Sequence, residues 1–221
     1  LEITWYGHSC FRISERGRIS VVTDPFHESI GLPPLKLKAD VVTVSHDSAG
    51  HGYLEAVKSD MRVLRSPGEY EIGNVFVSGL ALHNVTTEPP QRNVGFMINY
   101  DTLSVLHLGD LSYVPEQSTI ENLGEVNVLL VPVGGGSALK AAQAAELVAL
   151  IEPHFIIPMH YALPGLAFEL EPVEKFLKVM GVSKVVEMDI LKISASDLPE
   201  QPQVVVLNPQ GMELAAGQTG L

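Results

Sequence analysis

Five residues of metal-binding type, His46, His51, His83, Asp110 and His160, each stand at or just past the end of an apolar, β-branched run. Neutral imidazole and carboxylate are common protein ligands of zinc and related ions, and three of them with one open position are enough for a catalytic metal. The chemistry would be hydrolysis, because a bound cation brings the pKa of water to about 7 and polarises a carbonyl or phosphoryl oxygen. His46 and His51 lie in ADVVTVSHDSAGHG, residues 39–52, where Val41, Val42 and Val44 read as a short strand buried on both faces and a Ser/Gly loop follows. Their spacing is not that of a helical HExxH pair, but a loop can fold both rings inward.

Strands must carry these residues to one place. Residues 1–6, 10–13 and 18–23 are rich in Ile, Val, Thr and aromatics and read as antiparallel strands. Pro25 cannot continue a central strand, so Asp24 falls at a strand end, where it either accepts backbone N–H groups of a neighbouring loop or opens a turn. A weak helical pattern from Gly50 puts Tyr53, Leu54 and Val57 on one face. Further strands are expected at 62–64, 69–72 and 75–82, with His83 closing the last and a polar loop, 84–93, acting as a lid or as plain surface. Residues 94–100 and 103–108 form a hairpin; alternation turns His107 away from Asp110, which gives His107 a structural role.

In the second half strands feed helices. Pro115 opens a short helix to Leu123, and the apolar run 128–133 leads into Gly134 to Gly136. Ser137 is expected to cap a helix whose face is Leu139, Ala142, Leu147, Leu150 and Ile151, stopped by Pro153. The glycine loop reads as a tight turn in preference to an anion cradle, since no Gly-Lys-Ser/Thr follows. His154 and His160 sit at opposite ends of one strand, about 20 Å apart at ~3.3 Å per residue, so only His160 reaches the loop end. A helix from Pro172 to Gly181, strands at 185–188 and 204–207 and a fraying Gly-rich tail complete the chain.

Length permits one large domain or two small ones, and 46% hydrophobic with 18% charged residues is ordinary for a globular protein. With net charge −12 there is no surplus of cations to displace counterions from a phosphate backbone, so nucleic acid is not an expected partner. No run approaches a membrane span, no signal sequence is evident, and the single Cys10 can form no internal disulfide; a cytoplasmic protein is the expectation.

The segments ITWYGHSCF, TDPF, VSHDSAGH, LH at His83, HLGD, VPVGG and IPMHY, in this order along nearly the whole chain, resemble the metallo-β-lactamase superfamily, in particular its single-domain hydrolases related to ascorbate-phosphate lactonases. The resemblance implies one domain over residues 1–221 with a four-layer αββα sandwich of two mixed sheets flanked by helices. The family's HxHxDH motif falls on His46, Ser48, Gly50 and His51. It implies a first metal at His46, Ser48, His83 and Asp110 and a second at Gly50, His51, Asp110 and His160, with Ser48 and Gly50 lacking the family's ligand types. One Zn or Mn ion, or substoichiometric metal, is therefore expected. His51 and Asp110 are the expected catalytic residues, Asp24 would brace the metal loop from behind and His8 either lines the site or packs as a strand-end residue. Restoring Ser48→His and Gly50→Asp is expected to raise metal affinity if the pocket is still open.

Two readings follow. One is a metal-dependent hydrolase of a small, anionic or cyclic ester, lactone, amide or phosphoester. The other is a degenerate member that binds a small ligand or protein partner without catalysis. A metal-free mechanism through Cys10 ranks third, for want of an acid partner. Relatives often self-associate, which leaves a homo-oligomer open.

Overall fold

The structure, a computed structural model, describes residues 1–58, 60–86 and 88–212; the part of the tail expected to fray that falls in 213–221 lies outside the described residues. A six-stranded and an eight-stranded sheet pack face to face. The first half contributes β1 (Glu2–Trp5), β2 (Phe11–Ser14), β3 (Val21–Thr23), β4 (Val41–Thr43) and β5 (Arg62–Leu64). Then come β6 (Gly68–Ile72), β7 (Val75–Asn84), β8 (Gln91–Tyr100) and β9 (Leu103–His107). The second half adds β10 (Val128–Pro132), β11 (Phe155–Met159), β12 (Val186–Met188), β13 (Ile190–Lys192) and β14 (Gln203–Leu207), with helices α1 (Gln117–Glu121), α2 (Ala141–Ile151) and α3 (Val173–Val179).

The six-stranded sheet runs β13-β1-β2-β3-β4-β5 and the eight-stranded one β12-β14-β11-β10-β9-β8-β7-β6. Both are mixed. β3, β4 and β5 are parallel, as are β12, β14, β11, β10 and β9, while the remaining pairs are antiparallel. The central parallel strands β10 and β11 are wholly apolar and buried because both their faces are covered. Alternation sorts the core: Ile3, Trp5, Phe11, Ile13, Val21 and Val41 join the inter-sheet cluster. Val22 and Val42 join a second cluster with Phe26, Ile30, Leu32, Leu37 and Val57 on the other face. The outer layer there is two 3-10 turns, Glu28–Ile30 and Leu54–Ala56, and extended chain; α2 and α3 lie on the eight-stranded side, burying Ala141, Ala144, Leu147, Phe176 and Leu177.

Several elements differ from the sequence expectation. The helix from Gly50 is only the turn Leu54–Ala56, because Val57 is drawn into a parallel bridge with Leu37. Ser137 does not cap α2, which starts after Lys140; the buried stripe runs through Ala141, Ala144, Leu147 and Val148, which leaves the expected face residues Ala142 and Leu150 exposed, Leu150 at 45%. β7 continues to Asn84 and β8 begins at Gln91, so the polar loop is shorter than the composition suggested. β13 was not foreseen: after the single residue Asp189 the chain leaves the eight-stranded sheet at β12 and pairs with β1 of the other. Among the described residues no helix is long and apolar enough to cross a membrane.

Candidate metal centre

The carboxyl ends of β4, β9 and β11 bring His46, His51, Asp110 and His160 together, and the turn after β1 adds His8. Asp110 is the hub. Its Oδ1 lies 2.9 Å from His51 Nε2 and 3.1 Å from His160 Nε2, and its Oδ2 lies 3.8 Å from His46 Nε2. Two donors on one zinc at ~2.0–2.2 Å stand roughly 3 Å apart or slightly more, so the two shorter separations suit a shared ion. His51 Nε2 and Asp110 Oδ1 are within hydrogen-bonding distance yet out of alignment, and both are buried without a hydrogen-bond partner among the described residues, as are His8 Nδ1 and His160 Nδ1. Orphaned buried donors and acceptors cost about 1–3 kcal/mol each, and a cation held by this set would offset part of that. The residues fit a metal.

Their orientation is enforced from behind. Asp24, fully buried with φ +40°, accepts hydrogen bonds from Ser45 N and Ser45 Oγ, each at 2.7 Å. Since Ser45 Oγ has one proton and gives it to Asp24, its 3.2 Å contact with His46 Nδ1 must be donated by the imidazole. His46 Nε2 is then left with its lone pair facing Asp110. Ser48 Oγ makes the corresponding 3.1 Å contact with His51 Nδ1, so position 48 orients a ligand from behind. Asn93 accepts from Asp110 N at 3.0 Å and donates to Leu108 O at 2.9 Å, fixing the turn that aims Asp110. A side chain at Gly109 (φ +57°) would meet Asn93 Oδ1 and Ser45 Cβ, each at 2.4 Å, which requires glycine there. His8 and His160 also hold left-handed backbones, at φ +49° and +51°, a conformation that costs free energy and clusters at functional sites.

Charge follows this geometry. Burial alone would raise the Asp110 carboxyl, but His160 and His51 beside it reverse that and hold it well below the usual carboxylate range. Burial lowers His51, and the Asp110 charge more than compensates, leaving it raised. Burial, with His160 and His51 adding to it, keeps His8 far below the ordinary imidazole value, hence neutral. His107 does not join the cluster. It donates through Nε2 to Ser9 O at 3.0 Å and accepts at Nδ1 from Gly109 N at 3.2 Å. Cys10 is wholly buried and its thiol is pushed well up by burial and by Asp24, which leaves no basis for a thiolate nucleophile.

His83 departs from the expected ligand set. It lies opposite Arg92 on the β7–β8 hairpin and is exposed, whereas the next pair, Asn84 with Gln91, lines the site cavity. β7 runs two residues past the expected end at Leu82, and side chains alternate along it, so Asn84 faces the cavity and His83 takes the opposite face. Sequence reasoning missed Asn84, Gln91, Asn93 and Ser137. Ser137 Oγ donates to Asp110 Oδ2 at 2.7 Å, and its carbonyl accepts from Asn84 Nδ2. Helix capping was its apparent signal; the Gly134–Lys140 bridge turns it toward the site instead. Ser137→Ala is expected to cost about 10–100-fold in metal affinity, measured by competition with a chelating dye, with unchanged circular dichroism.

The cavity over the cluster is about 460 Å³ and is also lined by Phe168 and Ile30. An adjoining cavity of about 350 Å³ shares His46 and Gln91 with it and adds Asp47, Arg65 and Arg92. Arg65 pairs with Asp47 at 2.8 Å, and Arg92 donates to Arg65 O.

A family model described as the beta-lactamase superfamily domain matches residues 2–160. The crystal structure of a Thermotoga maritima protein that carries the name of a Zn-dependent hydrolase of the metallo-β-lactamase superfamily is 36% identical, with TM-score 0.77, over 93% of this chain and 97% of its own. A protein named UPF0173 metal-dependent hydrolase from Archaeoglobus fulgidus is 27% identical over 226 residues, 87% of this chain and 96% of its length.

Proposed function

Because this chain belongs to the β-lactamase superfamily domain family, we propose that it is a metal-dependent hydrolase of a small anionic ester, lactone, amide or phosphoester. The observation that carries the reading is the convergence of His51 Nε2 and His160 Nε2 on Asp110 Oδ1, with His51 Nε2 and Asp110 Oδ1 buried and unpartnered among the described residues and His46 beside them. A set dominated by imidazole favours zinc over manganese. When bound, the ion would supply an acidified water and a Lewis acid. His51 and Asp110 form the central pair that holds it, and the low carboxyl pKa of Asp110 suits a ligand better than a proton acceptor. Asp24, Ser45, Ser48 and Ser137 keep the ligands turned inward.

Arg65 and Arg92 in the adjoining cavity support an anionic substrate in a chain of net charge −12. The double change Arg65→Gln and Arg92→Gln should raise KM for such a substrate about tenfold with kcat nearly unchanged, because partly exposed charges at that distance supply binding and little else. Steady-state kinetics on a panel of lactones and phosphoesters measure it. Metal content per chain, read by mass spectrometry of protein purified without chelator and again after dialysis against zinc or manganese, tests the whole reading. A value near one supports it; a value near zero in every condition overturns it. The missing ligand types at Ser48 and Gly50 and the outward His83 would then favour a binding protein without catalysis.

A further inference from the structure

We propose that His8 is itself a metal ligand, so that His8, His51 and His160 make a three-imidazole set completed by Asp110. The assignment rests on the metal-binding reading above and goes beyond it in naming a donor from the first turn of the chain. Four observations carry it. The ligand-capable atoms of His8, His51 and His160 all lie within 4.8 Å of one another. The His8 ring centroid is 4.4 Å from that of His160 and 4.8 Å from that of His51. Its side chain is buried, at 1% exposure, and its Nδ1 has no hydrogen-bond partner among the described residues, an arrangement a merely packed histidine would avoid. Its backbone is pinned in the left-handed region, with His8 O accepting from both Trp5 Nε1 and His160 N at 3.1 Å, so that the imidazole is aimed before any ion arrives.

Gly50 explains why the ring can be there. A Cβ at position 50 would stand 2.9 Å from His8 Nε2, closer than real contacts allow, and 3.2 Å from its Cδ2, a tight contact. The space that a side chain at 50 would fill is occupied by the His8 imidazole. This also corrects the expectation that Gly50→Asp would restore a ligand: with His8 in place the two groups compete for one volume.

The test uses the full-length protein loaded with cobalt, whose absorption spectrum reports the ligands around the ion, together with zinc affinity by dye competition. His8→Asn removes the imidazole while keeping a residue that tolerates φ +49°. It is expected to lose more than about 100-fold in zinc affinity, beyond the range of a supporting contact, and to change the cobalt spectrum. Gly50→Ala, which leaves His8 intact but displaces it, should weaken zinc binding in the same direction. Circular dichroism and melting of the metal-free variants check that both are folded. A His8→Asn spectrum superimposable on wild type, or a Gly50→Ala variant that binds zinc as wild type does, overturns the proposal. Failure of the wild-type protein to take up any metal overturns the hydrolase reading and His8 with it, which separates the two failures.

Discussion

Asp110→Asn should lose zinc binding by about 3–5 kcal/mol, roughly a hundredfold to several thousandfold, and hydrolysis with it. Three imidazoles converge on this one carboxylate: His51, His160 and His46 all approach its two oxygens within 3.8 Å. Asn keeps the shape and can still accept from Ser137 Oγ, and the backbone bond from Asp110 N to Asn93 is untouched, so the turn should hold. What disappears is the negative charge among the histidines. Zinc competition titration gives the affinity, and the contrast with Ser137→Ala is informative, since that change removes only the hydrogen bond that orients the carboxylate. An Asp110→Asn affinity within tenfold of wild type would show that the imidazoles bind the ion without it.

The second large effect falls on stability. Asp24→Ala should destabilise the metal-free protein by about 3 kcal/mol, from losing two hydrogen bonds to a charged group and leaving Ser45 N unsatisfied in a fully buried position. For a chain of this size that is a fall in melting temperature of roughly 6–12 °C, read by calorimetry. Asp24→Asn should cost much less, because its carbonyl can still accept from Ser45 N and Asn tolerates φ +40°. The pair of variants separates loss of the brace from loss of charge. In the alanine variant His46 also loses the hydroxyl orientation that fixes its tautomer, so metal affinity should fall alongside stability; equal melting temperatures for the two variants would count against this account.

The sequence made the strand ends legible because β-branched runs stop abruptly at Gly, Pro and polar clusters, as at Thr43, His107 and Met159. That was sufficient to place His46, Asp110 and His160. It was insufficient wherever a single residue decides the face. His83 and Asn84 are neighbours of opposite direction, and only the observed end of β7 at Asn84 tells which one enters the cavity. Tertiary contacts overrode local pattern elsewhere. The bridge between Leu37 and Val57 cut short the expected helix, and a turn closed by Gly134 and Lys140 took Ser137 away from the cap position. His8 was half legible: its place in the chain was plain, but its aim depends on a left-handed backbone and on the emptiness of Gly50, which composition alone does not disclose.

The step at Asp189 has a consequence for how the protein opens. β12 and β13 are joined by one residue but belong to different sheets, and β13 is held to β1 both by its own ladder and by reciprocal bonds between Leu1 and Ile193. One sheet therefore cannot swing away from the other at this edge without breaking pairing in both. Amide hydrogens of β1 and β14 should exchange together, as one cooperative unit, although their sequences lie at opposite ends of the described chain.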